Sequence, residues 1–220
     1  LKDIKSHLKN KPDECVASVN RSLDILTRTP SINTVVLASL GSFYLGNSFA
    51  ANHTGKLAAE NWMIESTRLD EKSLSRAELF YRGMDRTISA LERAGKRVVL
   101  FADIPSFDFY PSACIARAKW LSRFVHTPCT IERARVEEDQ KTYWELLKRL
   151  HNAHPKTVLY DPRSTLCDAT WCYAGSDSML FYHDSHHLSI RGSALVAKDF
   201  LKKITLSSCP AGHPFCRSKV

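Results

Sequence analysis

The sequence predicts an α/β fold, a three-layer α/β/α sandwich in which helices cover both faces of a parallel sheet. Three observations carry that expectation. Short, continuous apolar runs recur along the chain, and amphipathic helical stretches separate them. The runs lack the polar alternation of a half-exposed strand, as strands buried on both faces do. No internal repeat or low-complexity stretch interrupts the alternation, so one layered domain accounts for the pattern. Ligands of such sheets bind at the carboxyl ends of the strands. The residues that follow each apolar run are therefore where function is expected.

The elements read in order as follows. Pro12 to Thr29 forms a helix with Val16, Val19, Leu23 and Leu26 on one face, while LKDIKSHLKN before it is too polar for a buried strand. TVVLASL, Thr34 to Leu40, suits a buried strand. Leu74 to Ala94 is a second helix, with Ala77, Phe80, Met84, Ile88 and Leu91 on its stripe. Gly95 stops it, as glycine does just past a helix end. RVVLFAD, Arg97 to Asp103, is the next strand, and Pro105 closes it. Arg135 to Asn152 is a third helix, carrying Tyr143, Leu147 and Leu150, and TVLYD, Thr157 to Asp161, is a third strand. Ser189 to Ile204 is the last helix, with Ser189 as its N-cap.

The 220 residues fit one domain with a full-sized core, and 44% hydrophobic and 25% charged residues are ordinary for a soluble globular chain. The sequence shows no apolar run of membrane-spanning length and no signal peptide. It opens on Leu1 rather than methionine, the start expected of a piece of a longer protein. The net charge is +8 and the pI about 9.2. Lys and Arg are dispersed rather than blocked, which argues against a nucleic-acid partner. Seven cysteines are present, and six fall into local pairs: Cys114 with Cys129, Cys167 with Cys172, and Cys209 with Cys216. Such pairing predicts disulfides and an oxidising compartment. Cys15 is left over.

The densest polar signal is FYHDSHHLSIRGSALVA, Phe181 to Ala197, in which three histidines and an aspartate occupy five residues. A histidine acts as a general base when one ring nitrogen donates to a fixed acceptor and leaves the other free. Asp184 and His187 have the D-x-x-H spacing that lets a carboxylate hold Nδ1–H, as in the carboxylate–histidine half of a triad. Two other readings stand beside it. His183, His186 and His187 could ligate a metal, although adjacent histidines rarely share one. The stretch could also be a solvated polar loop.

DSHHLSIRGSALVA resembles the final block of the SGNH/GDSL hydrolase superfamily, with Asp184, His187, Leu188, Ser189 and Gly192 in the D-x-x-H-L-S-x-x-G positions. Gly95 to Arg117, Thr34 to Gly46 and Leu166 to Ser189 resemble the periplasmic SGNH domains fused to membrane O-antigen acetylases. The resemblance implies a serine acyl-enzyme that transfers an acetyl group to a cell-surface glycan such as lipopolysaccharide O-antigen. His187 would be the base and Asp184 its orienting group. The implied partners are the glycan acceptor and a membrane acyltransferase domain as acetyl donor. The implied location is the periplasm, and no metal or organic cofactor is implied for this domain.

The family's nucleophile is the serine of a Gly-Asp-Ser turn on the first strand, and no such turn is present. The expectation is therefore one SGNH domain over residues 1–220 that lacks this strand, with a cysteine-containing tail over 205–220. Ser48, in LGNSFA, is a secondary candidate nucleophile. Gly41, Ser42 and Asn47 lie near the functional edge, without an assignment to an oxyanion hole. A carbohydrate acetylesterase and a non-catalytic glycan- or partner-binding module are the alternatives.

Overall fold

The structure is a computed structural model and describes residues 1–8, 15–45, 62–112, 129–176 and 179–206. Strand β1 (Ile4–Leu8) leads to helix α1 (Cys15–Arg28), strand β2 (Thr34–Ala38) and a single helical turn α2 (Gly41–Tyr44). Strand β3 (Trp62–Ser66) precedes helix α3 (Arg76–Arg93) and strand β4 (Arg97–Phe101). After them come β5 (Thr130–Glu132), α4 (Arg133–Asp139), α5 (Lys141–Ala153) and β6 (Val158–Tyr160). The chain ends with α6 (Arg163–Leu166), β7 (Trp171–Tyr173), the short strands β8 (Gly175–Ser176) and β9 (Met179–Leu180), and α7 (Ile190–Leu206).

The predicted parallel sheet is present, in the order β2-β4-β6. Val35 pairs with Val98 and Leu100 with Leu159 in parallel register. Alternation along β4 divides the core between the two faces. Val98 and Leu100 pack with Phe80, Ile88 and Leu91 of α3 and with Leu147 and Leu150 of α5. Val99 packs on the other face with Tyr160, Leu166 and Val196 of α7. Leu91, Leu100, Ile88 and Leu150 are fully buried, and each such side chain contributes about 1.5–3 kcal/mol of transfer free energy.

The helix signals act as the sequence predicts. Ser75 caps α3 by accepting Glu78 N–H at 3.3 Å. At the other end Gly95 takes φ 73°. Gly95 N–H then reaches Glu92 O and Lys96 N–H reaches Leu91 O, the two bonds of a Schellman closure. Ser189 Oγ accepts Gly192 N–H at 3.0 Å and so caps α7.

One reading needs correction. LKDIKSHL, too polar for a buried strand by composition, does form a strand, but outside the parallel sheet. β1 pairs antiparallel with β3, Ile4 opposite Ser66. A two-stranded ribbon needs only one apolar face, and Ile4, Ile64 and Leu79 supply it in a small separate cluster. β2 also ends earlier than the apolar run, at Ala38, because the chain turns there into α2.

The Cys167–Cys172 disulfide is formed, and Cys129 is disulfide-bonded. Cys114, Cys209 and Cys216 lie outside the described residues, as do the 207–220 part of the tail, Asn47 and Ser48. Among the described residues, no helix is long and apolar enough to cross a membrane.

Candidate active site

The segment between β9 and α7 folds back on itself as a tight loop. Ser189 N–H donates to Phe181 O and His183 N–H to His187 O, each at 2.8 Å. Asp184 stands at its tip, and two local backbone donors fix its side chain. Oδ1 accepts His186 N–H at 2.9 Å and His187 N–H at 2.8 Å. This is the turn that aspartate forms readily with the backbone two and three residues on. Oδ2 is left facing the His187 ring, with Nδ1 at 2.8 Å.

The electrostatics follow from those contacts. Burial works to raise the Asp184 carboxyl, but the His186 N–H, the His187 ring and the His187 N–H outweigh it and hold it at about 2. An ionised carboxylate only accepts, so His187 Nδ1 carries a proton, and in the neutral ring this leaves Nε2 as the nitrogen with the lone pair. The His187 side chain is 65% exposed, so the ring is accessible from solvent. The two residues singled out from D-x-x-H spacing are thus brought together in the arrangement a general base requires.

His186 and His183 take different places. The His186 ring lies against His187, centroids 4.0 Å apart, and its Nδ1 is 3.0 Å from Ser185 Oγ. Burial lowers its pKa, and repulsion between the two neighbouring rings when both are protonated lowers it further. His183 is exposed and stays outside the group. Donor atoms of Asp184, His186 and His187 lie within 4.8 Å of one another, so the three-histidine metal set is not the set that converges.

The loop is held from behind. Phe107 N–H donates to Ser185 O at 2.8 Å, and Ser185 is buried. The Phe107 ring meets Tyr182 edge-on at 4.8 Å. Phe181 N–H donates to Ala174 O, and Ala174 N–H to Cys129 O, which ties the loop to β7 and the cysteine-bridged segments. Gly192 is needed here: a Cβ would come 1.9 Å from Phe181 O.

A second carboxyl escaped the sequence reading. Asp103, just beyond β4, is 8% exposed. Its Oδ2 accepts Ser42 N–H at 3.1 Å. Burial pushes the carboxyl up to about 7, against the pull of the Ser42 and Gly41 N–H groups. The available signal was an acidic residue ending an otherwise apolar run, RVVLFAD.

The family model described as "SGNH domain (fused to AT3 domains)" matches residues 3–202. The chain belongs to the SGNH domain family. No curated protein sequence matches it. Among solved structures, the fold resembles the periplasmic domain of the lipopolysaccharide acetyltransferase of Salmonella ser. Paratyphi A. That similarity has 13% identity and a TM-score of 0.55, and it covers 90% of this chain and 67% of that one. The parallel sheet and its two helical layers are thus those of an SGNH domain, and the Asp184–His187 loop lies within the matched span.

Proposed function

We propose that this SGNH domain carries out O-acetyl transfer to a cell-surface glycan on the periplasmic side of a membrane. The acetyl group would come from the fused AT3 domain, and lipopolysaccharide O-antigen is the favoured acceptor class. The observation that carries this is the Asp184–His187 pair, with Nδ1 bonded at 2.8 Å and the ring largely exposed.

In the reaction, His187 Nε2 takes the proton of a serine hydroxyl as its oxygen attacks the donor acetyl group. The proton then goes to the departing donor group, leaving an acetyl-serine ester. A sugar hydroxyl next attacks that ester, gives its proton to Nε2, and the serine leaves with that proton. Asp184 stabilises the imidazolium formed in each half and keeps the ring in the productive tautomer.

The serine belongs, on this reading, to a strand seated against β2. Two features support that place. Among the described strands, β2 pairs with β4 alone. Beside it lies a cavity of about 330 Å³ lined by Val19, Val36, Ala38 and Met84. Val36 is 43% exposed there, and Thr34 and Ala38 on the same face of β2 are exposed as well, whereas strands of a parallel sheet are usually covered on both faces. The exposure of His187 is compatible with water as acceptor, which would make the same site an acetylesterase.

The test is His187→Ala in the protein that carries both SGNH and AT3 domains, with glycan acetylation as readout and circular dichroism as the folding check. The expected result is loss of acetylation with the fold intact. Full acetylation by the variant would end the proposal. Acetate release without glycan acetylation by the unaltered protein would favour the esterase.

A further inference from the structure

The loop that leaves β4 touches both sides of the site. At its start Asp103 receives the Ser42 N–H from the turn after β2. In its middle Ile104 O accepts Gln140 Nε2 at 3.0 Å. At its end Phe107 N–H holds Ser185, next to Asp184. The five residues Asp103 to Phe107 therefore connect the turn at the end of β2 with the loop that carries His187.

We propose that Asp103 is a positioning residue that keeps the Gly41–Ser42 turn in register with the Asp184–His187 loop, and that it does so as a carboxylate. The functional part rests on the acetyl-transfer reading above.

Two buried polar groups at this place have no other explanation in the fold. Asp103 is one; the other is Ser42, 7% exposed. Its Oγ lies beside the carboxyl and favours the ionised form. An asparagine would fill the volume of Asp103 without charge. Its carbonyl oxygen would still accept, but without charge, and its amide nitrogen would donate where the carboxylate accepts, so the two N–H groups would be held by weaker bonds. A carboxylate accepts both, through the stronger charge-assisted bonds. The approach is close by construction: a Cβ on Gly41 would lie 1.9 Å from Tyr143 Cε2.

The groups facing Asp103 are Gly41 and Ser42 of α2 and the buried Tyr143 of α5, whose hydroxyl bonds to Ser39. Tyr143 is the titratable member, raised by burial and by Asp103 itself. No charged side chain contributes to the Asp103 shift. Its ionisation near 7 is therefore set by burial against the two N–H groups and the Ser42 hydroxyl, and the turn tightens as pH rises through that value.

The test is an amide-shift titration of the isotopically labelled chain between about pH 5 and 9, a window bracketing the midpoint. The Ser42 amide should move with a midpoint near 7 in the unaltered chain and in His187→Ala, and should lose that transition in Asp103→Asn. In the protein with its AT3 domain, Asp103→Asn should lower kcat by about tenfold or more at pH 8 with KM little changed. A Ser42 amide that is flat across the range, or that titrates unchanged in Asp103→Asn, overturns the proposal. So does wild-type kcat in a folded Asp103→Asn protein. The titration of the unaltered chain needs no variant and no activity. A failure of acetyl transfer would show instead as an inert unaltered protein with the amide transition intact.

Discussion

Asp184 and Asp103 flank the loop that leaves β4, and their surroundings drive them apart. Asp184 accepts three donors at the tip of a partly exposed loop and is held at about 2. Asp103 is far more deeply buried, its donors do not offset that burial, and it is pushed up to about 7. The same side chain is a permanent anion in one region and a titrating acid in the other. Proximity to the sheet edge does not decide this. The balance between lost hydration and recovered hydrogen bonds does. The Asp184 region is built from bonds local in sequence, all within three residues. The Asp103 region is built across 61 residues.

The comparison can be broken at Asp184 with the largest effect. Asp184→Asn keeps the shape but donates where it should accept, and so favours the wrong His187 tautomer. Acetyl transfer should fall by about 10³–10⁴-fold, as carboxylate-to-amide changes do in such pairs. A fall of less than about tenfold would show that Asp184 is no orienting group.

At Asp103 the effect should appear in stability, with a sign opposite to that at Asp184. A folded pKa raised to about 7 from an unfolded value of 3.8 means stability is fully present below 3.8 and is lost as pH rises to about 7. The upper limit of that loss is about 4 kcal/mol. Asp103→Asn should therefore melt higher than the unaltered chain at pH 8, by about 1–3 kcal/mol after the lost bond is counted. It should show no advantage near pH 4. For Asp184 the contribution is present above 3.8 and lost as pH falls towards 2. Thermal melts across pH check both slopes.

A third test asks whether the His187 loop depends on its covalent surroundings. Removing the Cys167–Cys172 bridge with paired serines should cost about 2 kcal/mol in the chain-entropy model. Hydrogen exchange should rise at Ala174 and Phe181, which connect β7 to the loop, and stay unchanged at Ser42. Faster exchange at Ser42 alone would reverse the assignment of the two regions.

The smallest effect comes from a histidine that holds carboxylates away from any proposed chemistry. His154 Nδ1 meets Glu92 at 2.8 Å and Nε2 meets Asp85 at 2.9 Å. Burial opposes its protonated form, but the two carboxylates outweigh burial and raise its pKa. Its contribution is therefore full below the unfolded value near 6.5 and is lost as pH rises through the folded value. His154→Gln should cost about 1 kcal/mol at pH 6 and less at pH 9, with acetyl transfer unchanged. Loss of transfer would mean that His–carboxylate contacts matter here for more than stability.

The sequence by itself determined the parallel sheet, the main helices, the Ser189 cap, the Gly95 stop and the Asp184–His187 pair. Each depends on short-range physics: apolar runs, helical periodicity, capping hydroxyls and a three-residue spacing that a tight loop satisfies alone. Only the tertiary structure decided the rest. LKDIKSHL is polar by composition, yet it forms a strand because β3 offers a partner and Leu79 a single apolar face. Asp103 reads as the end of a strand, and its burial exists only once α2 and Tyr143 close over it. His186 is one of three similar histidines in sequence, and only the fold lays its ring against His187 while leaving His183 in water. Desolvation and contacts between distant segments are properties of the packed chain, and local sequence pattern carries no record of them.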